Sequence, residues 1–200
     1  MTYKTIDFFS ERELEIKDIS IYGWRYATKA MRRSYKTLFK SDSKEIEYNK
    51  DNDFYLGNKD RTLMKKLIHK GDEECKFLRF ILIQFEMKAP RYFWQQFDTY
   101  RFVDKSSEST MHTLKHGVTQ DDFYLYINDE ILKWYIELFN TFKMNEMKAS
   151  LPEGFLQTRD ISTNYATLRN IYRQRRKHKL NEWQLFCDWI EQLPEHWLIT

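Results

Sequence analysis

Two hundred residues suit a single domain spanning 1–200, long enough to bury a core. Hydrophobic residues make up 42% of the chain and aromatic residues 17%, so a core or an interface rich in Phe, Tyr and Trp is expected. A formal net charge of +3, from 33 basic and 30 acidic side chains, excludes the strongly basic profile of a nucleic-acid binder and supports only a mild preference for anionic ligands. Cys75 and Cys187 are too few for a disulfide framework and lack a CxxC partner, so structural zinc is not expected and a reducing, cytoplasmic setting is. The N-terminal stretch has no apolar run behind a basic start. No apolar stretch is long enough to cross a membrane, so neither a signal peptide nor a span is expected.

In chain order, residues 3–9 and 14–22 read as strand or loop. From Ile21 to Phe39, Tyr22, Tyr26, Ala30 and Leu38 sit among basic residues and predict an amphipathic helix. Residues 41–58 are polar and predict an exposed loop. Asp60 opens a helix with Leu63, Leu67 and Ile68 on one face and Gly71 as its stop. Phe77 to Lys88 is apolar and β-prone and predicts a strand, which Pro90 breaks. Tyr92 to Phe97 begins a helix, and Ser106–Ser109 reads as loop. Asp121 to Met147 predicts a long helical region, with Tyr124, Ile127, Ile131, Trp134, Leu138 and Phe142 at helical spacing. Leu151-Pro152-Glu153-Gly154 is a break, and Asn164 to about Gln192 gives one or two further helices. Five Gly and three Pro leave few tight turns, so the class is α+β or α/β with long helices dominating.

Two segments carry candidate chemistry. The first is the run KAPRYFWQQFDTYRFVDKSSES, from Lys88-Ala89-Pro90 to Ser109. Arg101 and Ser109 bring a fixed cation and a hydroxyl to one stretch, groups that suit a nucleotide phosphate. Gln96 offers an amide to a base edge or phosphate. Taken alone, Arg101 and Ser109 carry no signal and read as a solvated loop. The second segment holds Leu151-Pro152, Asn164, Asn170 and Arg175. Asn170 and Arg175 lie on one helix and can line one pocket. Its bland reading is a solvated basic helix, because Arg169, Arg173, Arg175, Arg176, Lys177 and Lys179 form a dense positive run.

Both segments together resemble the flavin-dependent thymidylate synthases. That family reads approximately K-A-P-x-x-x-W-x-Q-x-x-Arg-His-Arg, then a Ser. Lys88, Ala89, Pro90, Trp94, Gln96, Arg101 and Ser109 fall in register, as do Leu151, Asn164, Asn170 and Arg175 downstream. A weaker match, Met31-Arg32-Arg33-Ser34-Tyr35, aligns Ser34 with a serine near a flavin phosphate. The resemblance implies an α+β fold with an antiparallel sheet packed by long helices, assembled as a homotetramer with sites between subunits. It implies reductive methylation of deoxyuridylate in pyrimidine biosynthesis, with methylenetetrahydrofolate as carbon donor and FAD, recharged by NADPH, as hydride source. On it, Arg175 polarises the uracil as the catalytic residue, and Gln96, Ser109 and Lys148 hold the nucleotide monophosphate. Arg101, Asn164, Asn170, Ser34 and Tyr100 meet FAD.

The motif is partly degenerate. Thr99 and Tyr100 replace an Arg and a His, Asp72 stands where the family carries a His, and Met111 and Lys148 replace arginines. Each lost charge-assisted contact weakens binding by about 1.5–3 kcal/mol unless Arg91, Lys105, His112 or Lys115 compensates. The alternative is therefore a catalytically inactive or repurposed module that binds nucleotides or proteins. A nucleic-acid role for the basic helix is argued against by the near-neutral overall charge.

Overall fold

The computed structural model of the chain describes residues 8–10, 14–46, 54–141 and 144–200. In chain order the elements are β1 (Phe8–Ser10), β2 (Leu14–Tyr22), α1 (Trp24–Arg33), β3 (Lys44–Glu45), β4 (Phe54–Tyr55) and α2 (Asn58–Ile68). Then come β5 (Leu82–Pro90), α3 (Arg91–Phe97), β6 (Asp104–Ser107), α4 (Thr110–Thr113), α5 (Asp129–Asn140) and α6 (Met144–Ser150). The chain closes with β7 (Leu156–Asn164), α7 (Tyr165–Arg175) and α8 (Asn181–Ile190). Five strands make one antiparallel sheet in the order β1-β2-β5-β7-β6, so the α+β class is the observed one. Among the described residues the helices are shorter than expected, the longest having 12 residues. Among the described residues no helix is long and apolar enough to cross a membrane.

β5 runs through the centre of the sheet. Lys88 pairs with Glu15 on one side and Thr158 on the other. Ile83, Phe85, Met87 and Ala89 are buried, at the two-residue period of a strand with one face inward. α8 covers that face, with the Phe85 ring 4.7 Å from Trp189 and 6.4 Å from Phe186. α3 adds Phe93 and Phe97, and Trp183 lies 4.5 Å from Phe93. Each fully buried ring of this kind is worth about 1.5–3 kcal/mol, so much of the aromatic content is spent in the core. A second, smaller cluster gathers Leu114, Val118, Phe123, Tyr135, Met147, Leu151 and Phe155.

Several expected elements shift. α1 buries Trp24, Ala27, Thr28 and Met31, whereas Tyr22, Tyr26 and Leu38 are exposed. The core side is fixed by Trp24, which meets Tyr165 edge-on at 5.5 Å. The strand expected from Phe77 begins at Leu82, because Glu74–Phe80 is a 3-10 helix. Phe77 and Leu78 are buried all the same, so their apolarity signals the core rather than a strand. Gly23 permits this packing: its φ is +87°, and a Cβ there would lie 1.9 Å from the Phe80 carbonyl oxygen.

β6 forms where Ser106–Ser109 was expected to be loop, and β7 forms where no element was expected. Asp121 to Met147 is not one helix. Asn128 starts α5 by accepting from the Glu130 N–H at 2.8 Å, and Phe123 bridges Phe155 upstream. Ile131 and Trp134 are exposed, and Phe142 lies outside the described residues. The 41–58 stretch is described except at 47–53. There β3 pairs with β4, and Phe54 and Leu56 are buried. Buried Asp60 holds the near end, accepting from Arg32 Nε, from Ser41 Oγ at 2.6 Å and from Ser43 Oγ at 2.5 Å.

Candidate functional site

A cavity of about 630 Å³ opens where the start of α7, the Glu74–Phe80 segment and the turn 99–102 converge. Asn164 ends β7 and caps α7, its Oδ1 accepting from the Thr167 N–H at 3.0 Å. The turn is sharpened by Phe102, at φ +60°, and its carbonyl accepts from Thr163 Oγ1 at 2.9 Å. These two constraints bring Tyr100, Arg101, Asn164 and Asn170 into one wall, together with Arg79 and Arg173. Arg169 also belongs to that wall and is 8% exposed. It donates to the Ile68 carbonyl at 3.1 Å and to Cys75 Sγ at 3.3 Å, while its Nε is buried without a partner.

Gln96 and Arg175 form a second cluster. Gln96 Oε1 accepts from Arg175 Nη1 at 3.1 Å and from Trp183 Nε1 at 3.0 Å. The Arg175 guanidinium lies 4.6 Å from the Trp183 ring centroid, a cation–π contact. Its Nε donates to the Tyr100 hydroxyl at 2.7 Å. That hydroxyl donates to Gln174 Oε1 at 3.2 Å, and Gln174 Nε2 donates to Asn170 Oδ1 at 2.9 Å. Tyr100 thus belongs to the cavity wall and also holds Arg175. Its ring is 8% exposed and packs against Phe97 and Trp183.

Charge is distributed unevenly. Of the basic run, Arg173 pairs with Asp72 at 3.1 Å, and Arg176 with Asp188 at 2.5 Å and Glu191 at 3.2 Å. The run is therefore partly neutralised and not a continuous cationic face. Arg175 has no carboxylate partner among the described residues. Burial and the nearby Arg175 charge lower the His178 pKa, and His178 Nδ1 accepts from the Leu180 N–H at 3.2 Å. Burial pushes the Cys75 thiol up, and the Cys187 thiol up to about 12. Neither sulfur is a ready nucleophile.

Three expected site residues lie apart. Ser109 is exposed and its carbonyl starts α4, accepting from the His112 N–H at 2.8 Å. Lys148 is exposed on α6, and Ser34 is exposed at the end of α1. None of the three lines the cavity. Thr99 Oγ1 donates to the Gln96 carbonyl at 2.7 Å, and Met111 is 44% exposed. Arg91 donates to the Leu151 carbonyl at 2.8 Å and Lys105 pairs with Asp98 at 3.0 Å, and neither lines the cavity. Sequence reasoning missed Trp183, Gln174 and Arg169. Gln174 was adjacent to a residue already singled out, but no spacing pointed to Trp183.

No protein-family model matches this chain, and no curated protein matches it. Solved structures do. A flavin dependent thymidylate synthase ThyX from Helicobacter pylori, complexed with FAD and dUMP, superposes with a TM-score of 0.69 at 20% identity, over 94% of this chain and 98% of that one. A further structure of Thymidylate Synthase X from Helicobacter pylori with FAD and dUMP gives 0.68 at 20% identity, over 94% and 97%. At that identity the likeness establishes the fold, and this chain is built on the architecture of the flavin-dependent thymidylate synthases.

Proposed function

We propose that the chain binds FAD in the cavity and deoxyuridylate beside it at Gln96 and Arg175, and that it methylates that nucleotide reductively. One observation carries the reading. Tyr100, Arg101, Asn164 and Asn170, four residues that the resemblance aligns with flavin contacts, line one cavity, and the Tyr100 hydroxyl ties that wall to Arg175. The lining fits the cofactor. Arg79 and Arg101 suit a pyrophosphate, Arg173 being paired with Asp72, the Asn164 and Asn170 amides suit ring edges, and Leu78 and Ala166 suit a flat apolar body. The buried, unpartnered Nε of Arg169 in the same wall is a donor awaiting an acceptor.

Bound FAD would supply the hydride, with NADPH to recharge it and methylenetetrahydrofolate as carbon donor. The chain's own residues bind and orient. Gln96 Oε1 is taken by two donors, so its amide N–H groups remain for an acceptor on the base. Arg175 keeps Nη2 for a uracil oxygen and stabilises the negative charge that develops there. Ser109, Lys148 and Ser34 join the site from neighbouring copies in a homotetramer. Exposed Leu125, Tyr126, Ile131 and Trp134 offer apolar surface for that assembly. Light scattering that finds only monomers would remove the assembly from the proposal.

Titration with FAD, followed by flavin fluorescence and the visible flavin band, is expected to saturate. Tritium release from deoxyuridylate labelled at C5 then tests the reaction, with NADPH and methylenetetrahydrofolate present. A protein that stays colourless and is not stabilised by FAD overturns the proposal. A second reading, a nucleotide-binding module without flavin chemistry, is favoured by the inward packing of Tyr100 and by the pairing of Asp72 with Arg173. It predicts deoxyuridylate binding with no response to FAD.

A further inference from the structure

A second concavity, of about 530 Å³, lies between α2 and the turn that follows α1, and shares no lining residue with the first. Lys59, Leu63, Lys66 and Lys70 follow at four-, three- and four-residue spacing, so they form one stripe along the α2 side. Tyr35 and Lys40 contribute from the α1 side. The Lys70 ammonium sits 5.9 Å from the Tyr35 ring centroid. Arg32 reaches this concavity too, but its charge is matched by Asp60.

Lys40, Lys59, Lys66 and Lys70 make no ion pair among the described residues. Two acids stand at the margin against four lysines, and the Asp42 carboxylate interacts electrostatically with Lys59. Glu74 accepts from the Tyr35 hydroxyl at 3.1 Å, and Asp42 accepts from the backbone N–H groups of Lys59 and Asp60 at 2.9 and 3.2 Å. Like charges on the walls of a concavity focus a positive potential inside it, and their mutual repulsion is relieved by a bound anion. Leu63 is half-buried and Tyr35 is 46% exposed, so the same groove presents a flat apolar surface. The volume lies within the range of small-molecule sites.

We infer that this groove binds a phosphate-bearing small molecule with a flat ring body, of the nucleoside polyphosphate class. The four lysines take the phosphates, and Tyr35 with Leu63 takes the ring. The site stands independently of the flavin reading.

Calorimetric titration of the full chain with ATP and with inorganic tripolyphosphate tests it, at roughly 0.1 M salt so that general electrostatics are screened. Both are expected to bind, ATP the tighter. A Lys59→Ala/Lys66→Ala double variant should weaken both about a hundredfold or more, because two charge-assisted contacts are lost. Tyr35→Ala should weaken ATP alone. Lys115→Ala/Lys133→Ala, which removes as much charge from exposed positions outside the groove, should leave both unchanged, and binding in the groove should survive Arg101→Ala in the other cavity. Absence of binding, equal losses in the two double variants, ATP binding no tighter than tripolyphosphate, or loss of ATP binding in Arg101→Ala would each overturn the inference.

Discussion

Arg175 is a cation held by neutral groups: a tyrosine hydroxyl, a glutamine carbonyl and an indole face. Such a cation keeps its charge for a ligand, whereas Arg176, two-fold paired with acids, does not. Arg175→Lys removes the planar fork and the stacking while keeping the charge. It is expected to weaken deoxyuridylate binding by about 1.5–3 kcal/mol, or one to two decades. Calorimetry checks this, with an unchanged melting temperature showing that the fold is intact. Thr99 is exposed beside Arg101 at the cavity wall. Thr99→Arg adds a donor fork there and is expected to tighten FAD by about tenfold, a single charge-assisted contact, read by flavin fluorescence. An unchanged affinity would show that this position does not limit cofactor binding.

At the scale of elements, α7 owes its start to Asn164, which also lines the cavity. The two roles separate by substitution. Asn164→Ala removes the cap and should cost about 0.5–2 kcal/mol, lowering the melting temperature by roughly 2–4 °C per kcal/mol. Asn164→Ser retains a capping oxygen, so it should melt near the wild type yet bind FAD more weakly. If both variants bind FAD as the wild type does, Asn164 is a cap and nothing more. α3 ends at Asp98, next to Thr99 and Tyr100. Burial favours the neutral carboxyl there, but hydrogen bonds from Lys105 and Arg159 outweigh it and hold Asp98 below the ordinary carboxylate value. A lowered folded-state value gives stability that is full above the ordinary value and lost as pH falls through the lower one. Asp98→Asn should therefore reduce stability at neutral pH and flatten the acid limb of the melting curve against pH. An acid limb of unchanged slope would remove Asp98 as its cause.

In the whole molecule, Asp60 ties α1, α2 and the segment 41–43 that leads into β3 to one carboxylate that is fully buried. Asp60→Ala strands Arg32 in the interior and is expected to cost about 3–5 kcal/mol in urea unfolding. The α+β class was legible because β5 alternates cleanly and Pro90 marks where α3 begins. That Arg101, Asn164 and Asn170 would meet was legible because they keep a recognisable spacing, and they do line one cavity. β7 was not, since LQTRDISTN carries little apolar alternation and is held as a strand by its neighbours β5 and β6. α1 was placed roughly, but its buried stripe follows Trp24, whose partner Tyr165 is remote in sequence. Trp183 could not be read as a site residue because its contact with Gln96 exists only once α8 folds over α3. One hydroxyl joins the cavity to the Gln96–Arg175 cluster, the two places proposed for ligands, since Tyr100 stands in the cavity wall and grips Arg175 at the same time. A ligand that moves Tyr100 on entering the cavity must also reset the arginine. Occupancy of one compartment then changes the affinity of the other by the same factor in either order of addition, a reciprocity that thermodynamics imposes.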